Sequence, residues 1–156
     1  MPDEIEVSVK EDFRELINKD DMRKIVQRVL EIEKAPSPCE ISIVFTDNET
    51  IHVLNHDYRG IDRPTDVLSF CLAPREKKEA LPFILPPDDI VHLGEVIISY
   101  PQAVIQAVPQ ERLTDMELTS LLIHGILHLL GYDHEDTSDE AKMRAREKQL
   151  FHDIEA

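Results

Sequence analysis

Cysteine, long apolar runs and a leader-like N-terminus are all scarce or missing in this sequence. The chain has two cysteines in 156 residues, Cys39 and Cys71, and this small number predicts no disulfide framework. The longest apolar stretch, residues 118–130, is interrupted by polar side chains and is too short to span a bilayer. The first twelve residues are acidic and lack a basic segment followed by an apolar one. We therefore expect no export signal and a cytoplasmic protein.

Positive charge is also scarce. Seventeen lysines and arginines stand against 32 aspartates and glutamates, which gives a net charge of −15. This balance argues against a broad nucleic-acid-binding surface, because phosphate backbones bind basic surfaces. One segment, residues 59–78, is an exception, since five bases there outnumber three acids. The five bases are Arg59, Arg63, Arg75, Lys77 and Lys78.

The pattern of apolar residues predicts interleaved strands and helices in a single domain, residues 1–156. Hydrophobic residues make up 42% of the chain and charged residues 31%, as in ordinary globular proteins. Alternation or short apolar runs predict four strands, near residues 5–9, 41–45, 67–72 and 93–100. Helical spacing predicts helices near residues 22–30, 47–60, 101–109, 114–130 and 137–154. We expect an α+β fold in which helices pack against a small, mixed, four-stranded sheet with one antiparallel edge strand.

Several residues are predicted to begin or end these elements. Asp20 or Asp21 is expected to cap the first helix, and Asp47 to cap the second, which should end near Gly60. Thr114 with Glu117, and Thr137 with Glu140, have the spacing of capping boxes for the last two helices. The segment from Pro74 to Asp89 holds four prolines and is expected to be an irregular surface excursion.

The most informative segment runs from His124 to His134 and reads HGILHLLGYDH. Four residues along an α-helix turn through ~400°, so His124 and His128 are expected only ~40° apart around the axis. Two imidazoles at this spacing can converge on one metal ion. His134 can join them only if the chain turns back, and Gly131 is the residue that can adopt the required conformation.

Three histidine ligands predict a catalytic metal site. They leave a position of a tetrahedral ion open, as hydrolytic sites require and structural sites avoid. The sequence therefore predicts a metal-dependent hydrolase. Zinc is the expected ion, although nickel, cobalt and iron also suit imidazole ligands.

Other interpretations of these histidines stay open. The three could be unrelated surface or core residues, or they could form a structural site with His92, His56 or Cys71 as a fourth ligand. The spacing also matches that of metzincin proteases. In those enzymes a glutamate follows the first histidine as general base, whereas here that position is Gly125, which argues against proteolysis.

The motif resembles the signature HGxLHLxGYDH of the YbeY family of bacterial endoribonucleases. Two further blocks are similar to conserved blocks of that family: LNHDYRGIDRPTDVLSF at residues 54–70 and LGEVIIS at residues 93–99. The resemblance implies a zincin-like fold and one zinc ion on His124, His128 and His134. It also implies a cytoplasmic, single-strand-specific endoribonuclease that acts in 16S rRNA 3′-end maturation and ribosome quality control. The implied partners are rRNA, the small ribosomal subunit, ribosomal proteins and a ribosome-associated GTPase.

The resemblance gives Arg59 and His124 catalytic roles. A guanidinium has donors suited to a phosphate and to the charge that grows on it, although Arg59 could also be an ordinary surface residue. The nucleophile could be a water activated by the ion or the 2′-hydroxyl of the RNA, and no general base is assigned.

Four further residues near the motifs have less specific expectations. Asp133 is expected to orient a ligand or shape the turn. Glu95 is expected to be an exposed strand residue or, on an edge strand facing the site, a proton carrier. Asp66 with Thr65 is expected to organise the turn into the third strand. Tyr132 is expected to pack rather than to react.

Overall fold

The computed structural model describes residues 3–72, 90–110, 113–132 and 137–155. In this part of the chain, strands and helices alternate along most of the sequence and three helices follow the last strand. The elements are β1 (Glu4–Val9), a 3₁₀ turn (Glu11–Phe13), α1 (Lys19–Ile32), β2 (Cys39–Thr46), α2 (Asn48–Arg59), β3 (Val67–Cys71), β4 (Val91–Ser99), α3 (Tyr100–Ala107), α4 (Thr114–Leu129) and α5 (Thr137–Glu155).

The four strands form one mixed sheet in the order β1-β2-β4-β3. β1 pairs with β2 and β2 with β4 in parallel, whereas the edge strand β3 runs antiparallel to β4. This arrangement confirms the predicted α+β class and its single antiparallel edge strand. Cys39 and Cys71 lie on β2 and β3, which are not neighbours in the sheet, in agreement with the absence of a predicted disulfide.

The two faces of the sheet carry cores of different size. On one face α1, α4 and α5 pack over a large cluster that includes Val26, Ile43, Val96 and Ile126, all 0% exposed. On the other face α2 covers a small cluster of Ile51, Leu68 and Ile97. α4 is the central helix, since most of its residues are buried, and its packing fixes the histidines that it carries.

The predicted helix ends are only partly right. Asp47 caps α2 as expected, because its carboxylate accepts from the amide of Thr50 at 2.7 Å, and Gly60 ends that helix with φ +71°. The cap of α1 is Asn18 and not Asp20 or Asp21, which lie inside the first turn. The prediction of a capping box at Thr114 is wrong.

α4 begins one residue earlier than a Thr114 cap requires. The residue before the helix is Leu113, which has extended backbone and no capping side chain, and Thr114 is the first helical residue. α5 begins at Thr137, and the residues before it lie outside the described part.

The predicted excursion from Pro74 to Asp89 also lies outside the described residues, and so do three of the five bases of the 59–78 segment, Arg75, Lys77 and Lys78. Over the ranges that are described, no helix combines the length and the apolar character needed to cross a bilayer.

Candidate active site

His124 and His128 lie together on α4, as their spacing predicts. The centroids of their rings are 4.7 Å apart and the ring planes meet at 76°. Both residues are half-buried, in contrast to the fully buried Ile123 and Leu127 of the same helix. The two imidazoles therefore lie side by side on the less buried face of α4.

Both histidines line a cleft of about 510 Å³, here called the histidine cleft. The edge strand β3 and the end of α2 form the rest of its lining. Its residues are Tyr58, Arg59, Thr65, Asp66, residues 67–71, His124 and His128. The structure thus brings the predicted catalytic residues Arg59 and His124 into one cavity, although 65 positions separate them in the sequence.

Arg59 is the last residue of α2 and its side chain is exposed. A cation at a helix C-terminus is favoured by the partial negative charge of the final carbonyls. Among the residues that the structure describes, no carboxylate pairs with Arg59, so its guanidinium is not committed to a surface ion pair. It can therefore bind an anion in the cleft.

Gly125 lies where α4 passes closest to the sheet. A Cβ at this position would come within 2.5 Å of Cγ1 of Val96 on β4. The hydroxyl of Ser69 on β3 also donates to the carbonyl of Gly125 at 3.1 Å. Any larger side chain would force α4 away from the sheet, so the glutamate that metzincins place here does not fit. This packing explains why position 125 is a glycine and not the glutamate that serves as general base in metzincins.

The chain turns at Gly131, as the motif requires. Gly131 has φ +106°, a conformation that side-chain-bearing residues rarely adopt, and its amide donates to the carbonyl of His128 at 3.1 Å. The amide of Tyr132 donates to the carbonyl of Leu127 at 3.0 Å. His134, the third predicted ligand, and Asp133 lie outside the described residues.

Tyr132 anchors the end of this turn. Its ring packs against the large core, and its hydroxyl donates to Oε1 of Glu33 at 3.1 Å. Glu33 also accepts from Nε of Arg146 on α5. Burial raises the pKa of the Tyr132 phenol, and the neighbouring Glu33 raises it further. These contacts bear out the expectation that Tyr132 is a packing residue.

Glu147 on α5 is a site residue that sequence reasoning missed. Its carboxylate accepts from Nδ1 of His124 at 2.8 Å, and both side chains are about one quarter exposed. In a neutral imidazole, a proton held on Nδ1 leaves the lone pair on Nε2, the form that ligates metals. The signal available in the sequence is weak, because Glu147 is one of several charged residues on α5 and lies 23 positions from its partner.

The donor set of the cleft fits the predicted zinc ion. Two imidazoles lie side by side and one of them has the carboxylate partner typical of metal-bound histidine. Over the described ranges no three His, Cys, Asp or Glu side chains cluster tightly enough to hold an ion, so the predicted site needs a ligand from outside those ranges. His134 stays the predicted one.

The side chains considered as a fourth ligand differ in position. Cys71 lines the cleft, with its Sγ 3.8 Å from the carbonyl of Leu129. His92 contacts Glu40 at 2.7 Å and His56 contacts Asp57 at 3.2 Å, and neither histidine is part of the cleft lining. A sealed structural site built on His92 or His56 is therefore not supported.

The prediction for Asp66 is confirmed and one of the two alternatives for Glu95 is wrong. Asp66 organises the turn into β3 as predicted, because its Oδ1 accepts from the amide of Val67 at 2.8 Å and from the hydroxyl of Thr65 at 3.3 Å. Glu95 does not lie on an edge strand, since β4 is flanked by β2 and β3, and it lines a groove other than the histidine cleft. The expectation that Glu95 could carry a proton at the site is therefore wrong.

Comparison with a solved structure defines the class of fold. The solution structure of TM1509 from Thermotoga maritima matches with a TM-score of 0.62 at 24% identity, and the match covers 96% of this chain and 88% of that one. This protein is thus a small α+β protein of the TM1509 fold, with a histidine pair on its central helix facing an open cleft.

Comparison of sequences identifies the family. Residues 5–155 match the family described as Endoribonuclease YbeY. A protein named Endoribonuclease YbeY from Dehalococcoides mccartyi is 46% identical over 147 residues, which cover 92% of this chain and 86% of the relative. Another of the same name, from Roseiflexus castenholzii, is 40% identical over 148 residues, which cover 94% and 90%. The chain belongs to the YbeY family of endoribonucleases.

Proposed function

We propose that this protein is a zinc-dependent endoribonuclease that cleaves single-stranded RNA, with His124, His128 and His134 as metal ligands. The observation that carries the proposal is the histidine pair of α4 in a cleft that also contains Arg59. When bound, zinc would supply positive charge that polarises a phosphoryl oxygen and makes water more acidic. The cleft is open to RNA from solvent, which favours a catalytic over a structural metal.

The residues of the chain have separate tasks in this proposal. Glu147 holds the proton of His124 on Nδ1 and so directs Nε2 to the metal. Arg59 binds a phosphate through its forked donors and stabilises the negative charge that grows on the phosphorane oxygens. Asp66 shapes the turn that carries the chain from α2 into β3 along the cleft.

We also propose that the RNA substrate is the 3′ region of 16S rRNA and that the protein acts in ribosome quality control in the cytoplasm. The net charge of −15 supports a substrate presented by a particle and its proteins, because an acidic chain binds naked RNA weakly. The small ribosomal subunit, its proteins and a ribosome-associated GTPase are the proposed partners. Expression of this chain in a bacterium that lacks its own family member should restore the mature 3′ end of 16S rRNA.

Metal analysis combined with RNA cleavage tests the activity. We expect the purified protein to bind one zinc ion and to cleave a single-stranded RNA but not its duplex. His128→Ala should lose both zinc and cleavage and stay folded, whereas His152→Ala, which removes an exposed histidine of α5, should behave as the wild type. Arg59→Ala should keep its zinc and lose about 10²–10³-fold in cleavage rate.

The same experiment distinguishes the alternatives. Cyclic phosphate ends on the products would show attack by the 2′-hydroxyl, and linear phosphate ends would show attack by water. If His124→Ala and His128→Ala unfold on losing zinc, the metal is structural and the proposal is wrong. Cleavage of peptides instead of RNA would favour a peptidase, but the packing at Gly125 leaves no room for the usual base.

A further inference from the structure

A second groove lies next to the histidine cleft, and the aromatic side chains of Tyr58 and Phe70 border both cavities. This groove, here called the α2 groove, has a volume of about 420 Å³ and lies between α2 and the face of the sheet that α2 only partly covers. Its lining consists of Val44, Thr46, Thr50, Leu54, Tyr58, Phe70, Glu95 and Ile97. Tyr58 and Phe70 line both cavities, so the α2 groove and the histidine cleft are neighbours.

Tyr58, the residue before Arg59 on α2, has an exposed aromatic side chain. Its side chain is 70% exposed, and its ring meets Phe70 edge-on, with centroids 5.4 Å apart and planes at 71°. An edge-on contact leaves a face of the Tyr58 ring available to a flat ligand. Because Tyr58 and Arg59 both line the histidine cleft, a nucleotide whose phosphate binds Arg59 can place its base beside this ring.

Glu95 gives the α2 groove a chemical preference. It is half-buried and lies directly opposite Phe70 in the antiparallel pairing of β3 with β4. In the part of the chain that the structure describes, no hydrogen bond or ion pair engages its carboxylate. Glu95 is the only charged residue among those that line the groove, and its carboxylate repels phosphate and attracts a ligand that offers N–H donors.

We infer that the α2 groove binds a nucleobase of single-stranded RNA, stacked on Tyr58, with Glu95 accepting from the amino and ring N–H groups of the base. The site deepens the proposed function and rests on it, since the RNA phosphate is placed at Arg59. A base can enter only when it is unstacked and unpaired, so the groove gives a physical reason for single-strand specificity. Guanine, with two adjacent N–H donors on one edge, is the base that best matches a carboxylate.

Binding to the metal-free protein tests this inference apart from catalysis. The probe is a fluorescent uridine hexamer with one central guanine, measured by anisotropy at low salt. Tyr58→Ala should weaken binding by about tenfold or more, as for loss of one base stack, and Tyr58→Phe should stay within about twofold of the wild type. Val53→Ala changes an exposed residue on another side of α2, 57% exposed, and should have no effect.

Base preference provides the second readout. The wild type should bind the guanine-containing hexamer more tightly than the all-uridine hexamer, and Glu95→Gln should remove most of that difference. Equal binding of both hexamers by the wild type, or wild-type affinity in Tyr58→Ala, would overturn the inference. If the wild type binds these oligomers as inferred but zinc-loaded protein cleaves no RNA, the proposed function fails and the base site stands.

Discussion

Removal of the Glu147 carboxylate should weaken zinc binding without unfolding the protein. The carboxylate accepts from His124 Nδ1 at 2.8 Å, a charge-assisted contact of normal length. Such hydrogen bonds contribute ~1.5–3 kcal/mol, and loss of an equivalent partner typically costs ~10–100-fold in metal affinity. Because both side chains are about one quarter exposed, water replaces part of the lost contact. We therefore expect the lower end of the range, about tenfold, for Glu147→Ala.

The zinc affinity can be measured by competition with a chelator of known affinity. Glu147→Gln retains an oxygen that accepts from Nδ1 and should lose less affinity than Glu147→Ala. Glu155→Ala removes the same charge from an exposed position of α5 and should bind zinc as the wild type does. Circular dichroism checks that each variant keeps its helices.

The tautomer of His124 gives a readout that needs no metal. Nitrogen chemical shifts of the imidazole should report a proton on Nδ1 in the wild type and a mixture of tautomers in Glu147→Ala. If zinc affinity and tautomer are both unchanged in Glu147→Ala while the fold is intact, Glu147 does not orient His124 and our reasoning is refuted.

Other predictions concern packing, capping, burial and charge. Gly125→Ala should lower the free energy of unfolding by ~1–3 kcal/mol in urea denaturation, because the new Cβ meets Val96 at 2.5 Å; unchanged stability would contradict the close packing. Asp47→Ala should cost ~1 kcal/mol at neutral pH, whereas Asp47→Asn should cost less. The amide of Thr50 holds the pKa of Asp47 below 3.8, so the carboxylate's contribution is present above that pH and is lost as the pH falls through the lower folded pKa. Burial raises the pKa of Cys39 to about 12, so mass spectrometry should find this thiol alkylated only after unfolding. Cleavage of free RNA should fall steeply between 50 and 200 mM salt, and a flat response would argue against phosphate contacts.

The sequence predicts local features of this protein better than contacts between distant segments. Alternation or short runs of apolar residues mark all four strands, and the helical spacing of two histidines predicts their shared face on α4. The spacing of the histidines predicts a turn at Gly131, because glycine can adopt the left-handed conformation, and its φ of +106° agrees. These predictions depend on residues within a few positions of one another.

The missed features depend on three-dimensional packing. The contact of His124 with Glu147 joins two helices whose relative rotation cannot be derived from either helix alone. One of the two alternatives for Glu95 requires an edge strand; the order of strands in the sheet cannot be read from the chain order, and β3 takes the edge beside β4. The four-residue pattern of Thr114 and Glu117 predicts a cap at Thr114, but the preceding Leu113 has the extended backbone of the cap and Thr114 is the first helical residue.

The contact between α5 and α4 has a consequence for the timing of synthesis. A ribosome that has just made the histidine motif has not yet made Glu147 or Arg146, the α5 residues that contact His124 and Glu33. A nascent chain therefore holds the imidazole of His124 without its orienting partner until α5 has emerged and docked. Glu147 can therefore orient His124 only late in synthesis, after both α4 and α5 have folded.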